Sequence, residues 1–165
     1  MNLGRVLKHL LVPHWIALRP FPQAMLKRIE SAVGESEARH DGELRFAVEG
    51  GLDAEALWRG QSARGRAIEL FAQLRVWDTE HNSGVLIYVQ LVDRSIEIVA
   101  DRGINAKVAQ ESWDGICRRM EAAFGEGRYE QGTLAAIDEV TALLARHFPP
   151  GGSNPNELPN QPVVL

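Results

Sequence analysis

The chain has 165 residues, of which 45% are apolar and 24% charged, and its formal net charge is −4. This length and composition predict one soluble globular domain, long enough to bury a core but too short for two independent domains. The acidic balance, without a Lys/Arg cluster interleaved with aromatic residues, argues against nucleic-acid binding. Cys117 is the sole cysteine, which excludes an internal disulfide and a cysteine-based zinc site.

Residues 1–24 form an amphipathic N-terminal segment, because Leu3, Val6, Leu7 and Leu10 have helical spacing. The segment is too short to span a bilayer and lacks a signal-peptide pattern, so we expect no transmembrane segment and a cytoplasmic location. Packing of this apolar stripe on its own domain is the favoured interpretation. Peripheral association with the inner membrane, or docking on a protein partner, is the alternative.

An α/β pattern fills residues 25–148, which we interpret as the folded domain. Its predicted elements are, in chain order, helix 24–38, strand 43–49, helix 62–75, strands 85–89 and 96–100, a helix capped by Asn105 that runs to about Phe124, and helix 129–147. The two consecutive strands are close enough to form an antiparallel hairpin. The Pro- and Asn-rich residues 149–165 predict an extended arm and not another element.

The predicted topology brings polar residues to one edge of the sheet. The hairpin places the start of its first strand beside the end of its second, and a right-handed crossover makes strand 43–49 parallel to strand 85–89. Five carboxylates, one histidine, one asparagine and one arginine should therefore share one rim: Glu37, Glu43, Asp78, Glu80, Asp101, His40, Asn82 and Arg102. Crowded carboxylate oxygens suit a hard divalent cation such as Ca²⁺, so this rim is a candidate metal site.

The same residues also have a purely structural interpretation. Asp78 with Thr79, and Asp101 at the end of its strand, are typical of turn chemistry, in which an aspartate accepts hydrogen bonds from nearby backbone N–H groups. His40 is either a ligand or general base, or a surface or capping residue. No catalytic nucleophile stands out. The glycine-containing turns match neither a P-loop nor a dinucleotide fingerprint, so we expect no nucleotide cofactor.

Two adjoining runs carry a family resemblance. Residues 71–89, FAQLRVWDTEHNSGVLIYV, are followed by residues 96–104, IEIVADRGI. Together with the helix around Trp113 and the tail motif NELPN at residues 156–160, they resemble the TPM domain family, in its small soluble bacterial branch. That family includes thylakoid acid phosphatase-like, photosystem-repair and receptor-modulator members. The resemblance covers about residues 25–165.

The resemblance implies a three-layer α/β/α sandwich with a Rossmann-like mixed sheet, which contains the antiparallel hairpin of about residues 85–100. It also implies a metal-binding crevice, which takes Ca²⁺ in some members, and weak acid phosphatase activity in some plant members. On this chain the implied acidic residues are Asp78, Glu80 and Asp101, with Arg102 available to an anionic group.

Three functions stand as alternatives. The first is a module that binds a divalent cation and serves an unidentified protein partner or a membrane-associated process, without turnover. The second is metal-assisted phosphomonoester hydrolysis, in which Arg102 neutralises charge and His40 or Glu43 moves a proton. The third is a metal-free interaction domain that docks a partner through the N-terminal stripe and the tail.

Overall fold

A computed structural model of the protein describes residues 3–151 and 156–165. Helices and a four-stranded sheet make up these two ranges. In chain order the elements are α1 (Leu3–Leu11), α2 (His14–Ala17), α3 (Gln23–Glu37), β1 (Glu43–Glu49), α4 (Ala54–Trp58), α5 (Ala63–Gln73), β2 (Gly84–Gln90), β3 (Ser95–Ala100), α6 (Arg102–Asn105), α7 (Gln110–Gly125), α8 (Tyr129–His147) and β4 (Val163–Val164).

Six of the seven predicted elements are present, with ends that differ from the predicted ones by at most two residues. β1 and α8 have the predicted ends, and α3 is displaced from its predicted position by one residue. One predicted helix is wrong, because the structure divides the segment from Asn105 to Phe124. Asp101 caps the short α6 by accepting a hydrogen bond from Arg102 N at 2.7 Å, and Asn105 ends that helix instead of starting α7.

The sheet has the strand order β3-β2-β1-β4 and is mixed. β1 runs parallel to β2, with Glu43 opposite Gly84. β2 and β3 form the antiparallel hairpin, with Val85 opposite Ala100. These pairings confirm the predicted parallel alignment of β1 and β2 and the predicted hairpin. Helices on both faces complete a three-layer α/β sandwich.

The larger apolar cluster lies on one face of the sheet, which we call the three-helix face. Residues of β1 alternate, so that Leu44, Phe46 and Val48 point towards α3, α7 and α8. Trp113 of α7 and Leu144 of α8 are almost completely buried among them. Burial of this apolar surface is the main source of stability that the fold offers.

The opposite face, which we call the tail face, is covered by α5 and by residues 156–165. α5 packs on β2 and β3. Leu158 of the tail joins the apolar cluster that contains Leu70 and Leu86. The tail therefore covers β1 where α5 does not reach.

The end of the tail corrects one expectation from the sequence. Val163–Val164 forms β4, which pairs parallel with β1, although no further element was expected after residue 149. The backbone N of Gly50 also donates to the carbonyl of Leu165 at 2.9 Å. The tail is recruited because β1 has an open edge with unpaired backbone groups, a tertiary feature that composition does not reveal.

The packing of α1 differs from the packing that the sequence favoured, in which the apolar stripe lies against the domain. Leu3, Leu7, Leu10 and Leu11 are exposed, while His9 is buried. Of the predicted stripe, Val6 does pack on the domain, against the apolar cluster of Leu52, Ala56 and Leu57. The leucines do not, because the side of the helix that carries Val6 and His9 makes the contacts with the domain. Among residues 3–151 and 156–165, no helix is both long and apolar enough to cross a membrane.

Candidate functional site

The start of β1, the start of β2 and the end of β3 meet at one edge of the sheet. Glu43 is the first residue of β1 and lies opposite Gly84, the first residue of β2. Asp101 follows β3, and its backbone N donates to the carbonyl of Gly84 at 2.8 Å. Four carboxylates on these and adjoining segments, which we call the acidic edge, are Glu37, Asp41, Glu43 and Asp101.

Glu43 is the most buried carboxylate of the acidic edge, with 1% of its surface exposed. Its Oε1 accepts a hydrogen bond from the backbone N of Glu157 at 3.0 Å. Burial raises the pKa of Glu43 to about 7; the Glu157 hydrogen bond opposes this rise, and the charges of Glu37 and Glu157 add to it. Glu43 is therefore a carboxylate that can gain or lose a proton near neutral pH.

Glu37 ends α3 and is held by the tail. Its Oε2 accepts hydrogen bonds from Asn160 Nδ2 at 2.9 Å and from Asn156 Nδ2 at 3.2 Å. Burial raises the pKa of Glu37, and the hydrogen bond from Asn160 works against that rise. The tail thus contributes donors to two carboxylates of the acidic edge.

Asp41 and Asp101 are each held by a backbone N–H group. Asp41 Oδ2 accepts from Gly151 N at 2.6 Å. Asp101 Oδ1 accepts from Arg102 N at 2.7 Å and so caps α6. In both residues one carboxylate oxygen thus accepts a hydrogen bond that holds the local backbone, and the other oxygen does not.

One oxygen of each carboxylate in the acidic edge is buried and has no hydrogen-bond partner among the described residues: Glu37 Oε1, Asp41 Oδ1, Glu43 Oε2 and Asp101 Oδ2. Buried polar atoms are nearly always bonded in folded proteins, so four such oxygens at one edge are unusual. Protons, ordered waters or a cation would satisfy them. Within residues 3–151 and 156–165, however, no three Asp, Glu, His or Cys side chains stand close enough together to hold a metal ion.

The other predicted acidic residues lie in the loop before β2. Asp78 is exposed and Thr79 is buried, with Thr79 Oγ1 accepting a hydrogen bond from Ser83 N at 3.0 Å. Glu80 is exposed, and its backbone N donates to both carboxylate oxygens of Glu157, at 3.2 and 3.3 Å. These contacts shape the loop and attach it to the tail.

Asn82 and Arg102 form a pair beside Asp101. Asn82 adopts a left-handed conformation with φ 51°, and its Oδ1 accepts from Arg102 Nε at 3.0 Å. The carbonyl of Asn82 accepts from Gly103 N at 2.9 Å. A Cβ atom at Gly103 would lie 2.5 Å from that carbonyl oxygen, so only glycine allows this close approach. Arg102 is exposed, and its guanidinium is held at one end by this hydrogen bond to Asn82.

His40 lies in a different environment from the acidic edge. It is fully buried, and its Nε2 is 2.7 Å from Ser36 Oγ, which in turn is 2.7 Å from Thr141 Oγ1 of α8. Its Nδ1 contacts the backbone of Gly42. Burial is the main cause that lowers the pKa of His40, which favours the neutral ring. This histidine joins α3 to α8 and has no exposed surface from which to meet a substrate.

Sequence reasoning missed Asp41, the tail residues and Arg45. Arg45 is two residues from Glu43 on the tail face, is buried, and donates through Nη1 to the carbonyl of Pro159. Burial lowers its pKa, and the charge of Glu43 opposes that change. The sequence of β1 does contain a signal for these contacts. Polar residues at alternate positions of a strand that is covered on both faces must have polar partners, and here the tail supplies them.

The sequence profile of the TPM domain matches residues 21–143. The chain belongs to the TPM domain family. The fold is similar to the NMR structure of BA42 protein from the psychrophilic bacterium Bizionia argentinensis, with a TM-score of 0.76 and 28% sequence identity, covering 87% of this chain and 94% of that chain. No curated protein sequence gives a significant match.

Two segments of this TPM domain lie outside the family match, namely residues 1–20 and residues 144–165. The first contains α1. The second contains Asn156, Glu157 and Asn160, which bind the carboxylates of Glu37 and Glu43. All four carboxylates of the acidic edge lie within the family match, whereas hydrogen-bond donors to three of them, Glu37, Asp41 and Glu43, come from residues 144–165.

Proposed function

We propose that this TPM domain binds a divalent cation, Ca²⁺ above others, at the acidic edge, and that it works as a binding or accessory module. The observation that carries the proposal is Glu43, which is 1% exposed and whose Oε2 has no hydrogen-bond partner among the described residues. A buried ionised oxygen without a donor is unfavourable. A cation that ligates it would remove this unfavourable term.

The donor set favours Ca²⁺ over Zn²⁺ and Mg²⁺. Zn²⁺ prefers nitrogen and sulfur ligands, whereas the acidic edge offers carboxylate oxygens. Mg²⁺ requires near-ideal octahedral geometry, while Ca²⁺ accepts six to eight irregular oxygen ligands, including backbone carbonyls and water. Glu43 and Asp101, which flank Gly84, are the residues best placed to hold the ion, with Glu37 and Asp41 beside them.

The affinity that we propose is weak. No three acidic side chains of the described residues converge as they stand, so binding would require side-chain movement and several ligands from water. Sites with few charged ligands bind Ca²⁺ with dissociation constants of about 10⁻⁴–10⁻³ M. Binding would also release about half a proton at pH 7, because the pKa of Glu43 is about 7 and metal ligation requires the ionised form.

The first test is an NMR titration of the chelator-treated protein with Ca²⁺, Mg²⁺ and Zn²⁺. We expect saturable amide shifts near residues 41–43, 101–103 and 156–160, with Ca²⁺ the strongest ligand. Calorimetry of the Ca²⁺ titration in two buffers of different ionisation enthalpy measures the released proton. Absence of saturable shifts at millimolar Ca²⁺ would exclude the cation site and favour the metal-free interaction domain.

A pair of isosteric variants makes this test specific. Glu43→Gln retains size but cannot supply a charged ligand, so we expect at least a tenfold weaker affinity and no proton release. Glu80→Gln is the control, because Glu80 is exposed and is not among the residues with an orphaned buried oxygen. Equal affinity in both variants would show that Ca²⁺ binds elsewhere.

A second candidate function is hydrolysis of a phosphomonoester, and Arg102 is the observation that favours it. Its exposed guanidinium, fixed by Asn82 next to Asp101, could bind two oxygens of a phosphoryl group. Glu43 could hold or release a proton at neutral pH, since its pKa is raised to about 7. A bound cation would supply Lewis-acid assistance.

Hydrolysis of p-nitrophenyl phosphate by the purified chain tests this candidate. We expect phosphate release that depends on added Ca²⁺ or Mg²⁺ and falls about a hundredfold in Arg102→Ala. Arg94→Ala is the matched control, because Arg94 is an exposed arginine in the hairpin turn at the other end of β2. Activity that survives in Arg102→Ala would indicate a contaminating enzyme.

A further inference from the structure

α1 exposes the side of an amphipathic helix that is normally buried. Six of the ten large apolar side chains that are exposed in the described residues lie within residues 3–16. They are Leu3, Leu7, Leu10, Leu11, Trp15 and Ile16. Concentrated apolar surface of this kind marks a contact with another apolar phase or molecule.

The reversed orientation of α1 is fixed by polar contacts. Arg5 donates to Asp93 through Nη2 at 2.7 Å and through Nε at 3.0 Å. Buried His9 accepts from Leu52 N at its Nδ1, 3.0 Å away, so its Nε2 carries the proton that is donated to Asp93 Oδ1 at 2.9 Å. Arg5 and His9 thus attach one side of the helix to the domain. The leucines on the other side of the helix therefore face solvent while the helix itself stays attached to the domain.

The charge of this region is opposite to that of the whole chain. Five basic residues occur before Glu30, which is the first acidic residue, although the chain as a whole has a net charge of −4. Lys8 and Arg19 are exposed beside the apolar residues. A helix with leucines and a tryptophan on one side, flanked by basic residues, is typical of segments that lie in the interface of an anionic membrane.

A cavity of about 470 Å³ lies next to the same segment. Its lining is mostly apolar and includes Val12, Ala17, Phe124 and Tyr129, and its charged lining residues are Lys8, Arg94 and Glu121. Apolar walls with basic side chains suit part of a lipid molecule, whose acyl chain is apolar and whose phosphate is anionic. The exposed stripe and this cavity therefore favour the same kind of ligand.

We infer that residues 3–19 dock the domain on the surface of an anionic phospholipid bilayer. The leucines of α1 and Trp15 enter the interface, and Lys8 and Arg19 contact the phosphate groups. A second copy of the chain is a poorer occupant, because a two-fold contact would place the basic residues of one copy against those of the other. This docking is independent of the cation site, which lies at the opposite end of β1 and β2.

Co-sedimentation with vesicles tests the inference on the full chain. Vesicles of equal parts phosphatidylglycerol and phosphatidylcholine are compared with vesicles of phosphatidylcholine alone. We expect binding to the anionic vesicles to be about tenfold or more tighter, because each basic residue near an anionic surface contributes about 1 kcal/mol. Equal binding to both vesicle types would overturn the assignment of an anionic surface.

Substitutions separate insertion of α1 from general stickiness. Leu7→Glu and Leu10→Glu should each lower the partition coefficient about tenfold or more, since that factor corresponds to transfer of one leucine side chain from water. Ile68→Glu is the control, because Ile68 is a half-exposed apolar residue on α5. An equal loss in the Ile68→Glu protein would contradict the inference.

Light scattering in the absence of lipid tests the alternative that a second copy of the chain covers the exposed leucines. We expect the wild-type chain to remain monomeric at micromolar concentration. A wild-type dimer that Leu7→Glu converts to a monomer, together with no vesicle binding, would assign the exposed leucines to contact between two copies and overturn the membrane inference.

Discussion

The two ends of β1 each bury a glutamate on the tail face, and the two carboxylates have opposite environments. Glu49 is fully partnered: Arg66 donates to it through Nη2 at 2.8 Å and Nε at 3.1 Å, and the Tyr88 hydroxyl donates to its Oε2 at 2.5 Å. Glu43 accepts from a backbone N–H at Oε1, and its Oε2 has no partner among the described residues.

This difference separates a carboxylate whose two oxygens are both bonded from one that keeps a buried, unbonded oxygen. The hydrogen bonds that Arg66 donates to Glu49 raise the pKa of Arg66. Burial, followed by the hydrogen bond to Glu49, raises the pKa of Tyr88, so both donors stay protonated. Burial raises the pKa of Glu43 to about 7. Perturbed and incompletely bonded ionisable groups are concentrated at functional sites, whereas complete ion pairs are common in structural networks.

Removal of the Glu49 carboxylate should have the largest effect on stability. We expect Glu49→Ala to lower the free energy of unfolding by about 3 kcal/mol, because the mostly buried guanidinium of Arg66 loses its less exposed partner and the buried Tyr88 hydroxyl loses its acceptor. Urea denaturation measures the loss. Glu69→Ala is the control, since Glu69 pairs with the same Arg66 at 3.2 Å but is more exposed, and it should cost about 0.5 kcal/mol. Equal losses would contradict a special role for Glu49.

The second largest expected effect is a pH dependence of stability that comes from the raised pKa of Glu43. A raised pKa means that the folded state holds the proton more tightly, so stability is full below the ordinary value of 4.5 and is lost as the pH rises to about 7. We expect the free energy of unfolding to fall by about 2.5 kcal/mol between pH 4.5 and pH 7. Glu43→Gln should remove most of that fall in urea titrations between pH 4 and 8. If the wild-type chain and Glu43→Gln have the same pH profile, the pKa of Glu43 is not raised.

Addition of Ca²⁺ at pH 8 should then recover part of the stability. At ten times the dissociation constant, a ligand that binds only the folded state contributes about 1.4 kcal/mol. We expect this gain in the wild-type chain and in Glu69→Ala, and at most about 0.4 kcal/mol in Glu43→Gln, whose affinity should be at least tenfold weaker. A gain of the same size in Glu43→Gln would show that Ca²⁺ binds outside the acidic edge.

The smallest expected effect concerns the contact of the tail with Glu37. Asn160→Ala removes the 2.9 Å hydrogen bond to Glu37 and should cost about 1 kcal/mol at pH 8. The cost should shrink at pH 4, where Glu37 is protonated and needs its donor less. Asn156→Ala is a matched control with a longer hydrogen bond of 3.2 Å and an exposed side chain, and it should cost less.

Local pattern predicted most of the fold. The alternation in β1 and the helical spacing in α3 and α8 gave boundaries within a residue, because these segments have one fully covered apolar side. The β2 and β3 hairpin and the parallel pairing of β1 followed from connection lengths and handedness. The convergence of Glu43 and Asp101 at one edge was therefore predictable.

The parts that sequence reasoning missed depend on distant contacts. The tail becomes an element only because β1 offers an open edge, and Glu157 reaches Glu43 across 114 residues of sequence. His40 looked like a loop residue, yet Ser36 and Thr141 bury it between two helices. α1 has the periodicity of a helix that packs through its leucines, and only the positions of Asp93 and Leu52 show that the other side is attached.

The long separation between Glu157 and Glu43 has a consequence for the order of folding. Contacts between neighbouring strands such as β2 and β3 close short loops, while the tail must close a loop of more than a hundred residues, which is entropically slower. We therefore expect the tail to dock after the sheet has formed. Until then Glu43 is open to water and titrates as an ordinary carboxylate, so its proton uptake on refolding at pH 6 would time the final step of assembly.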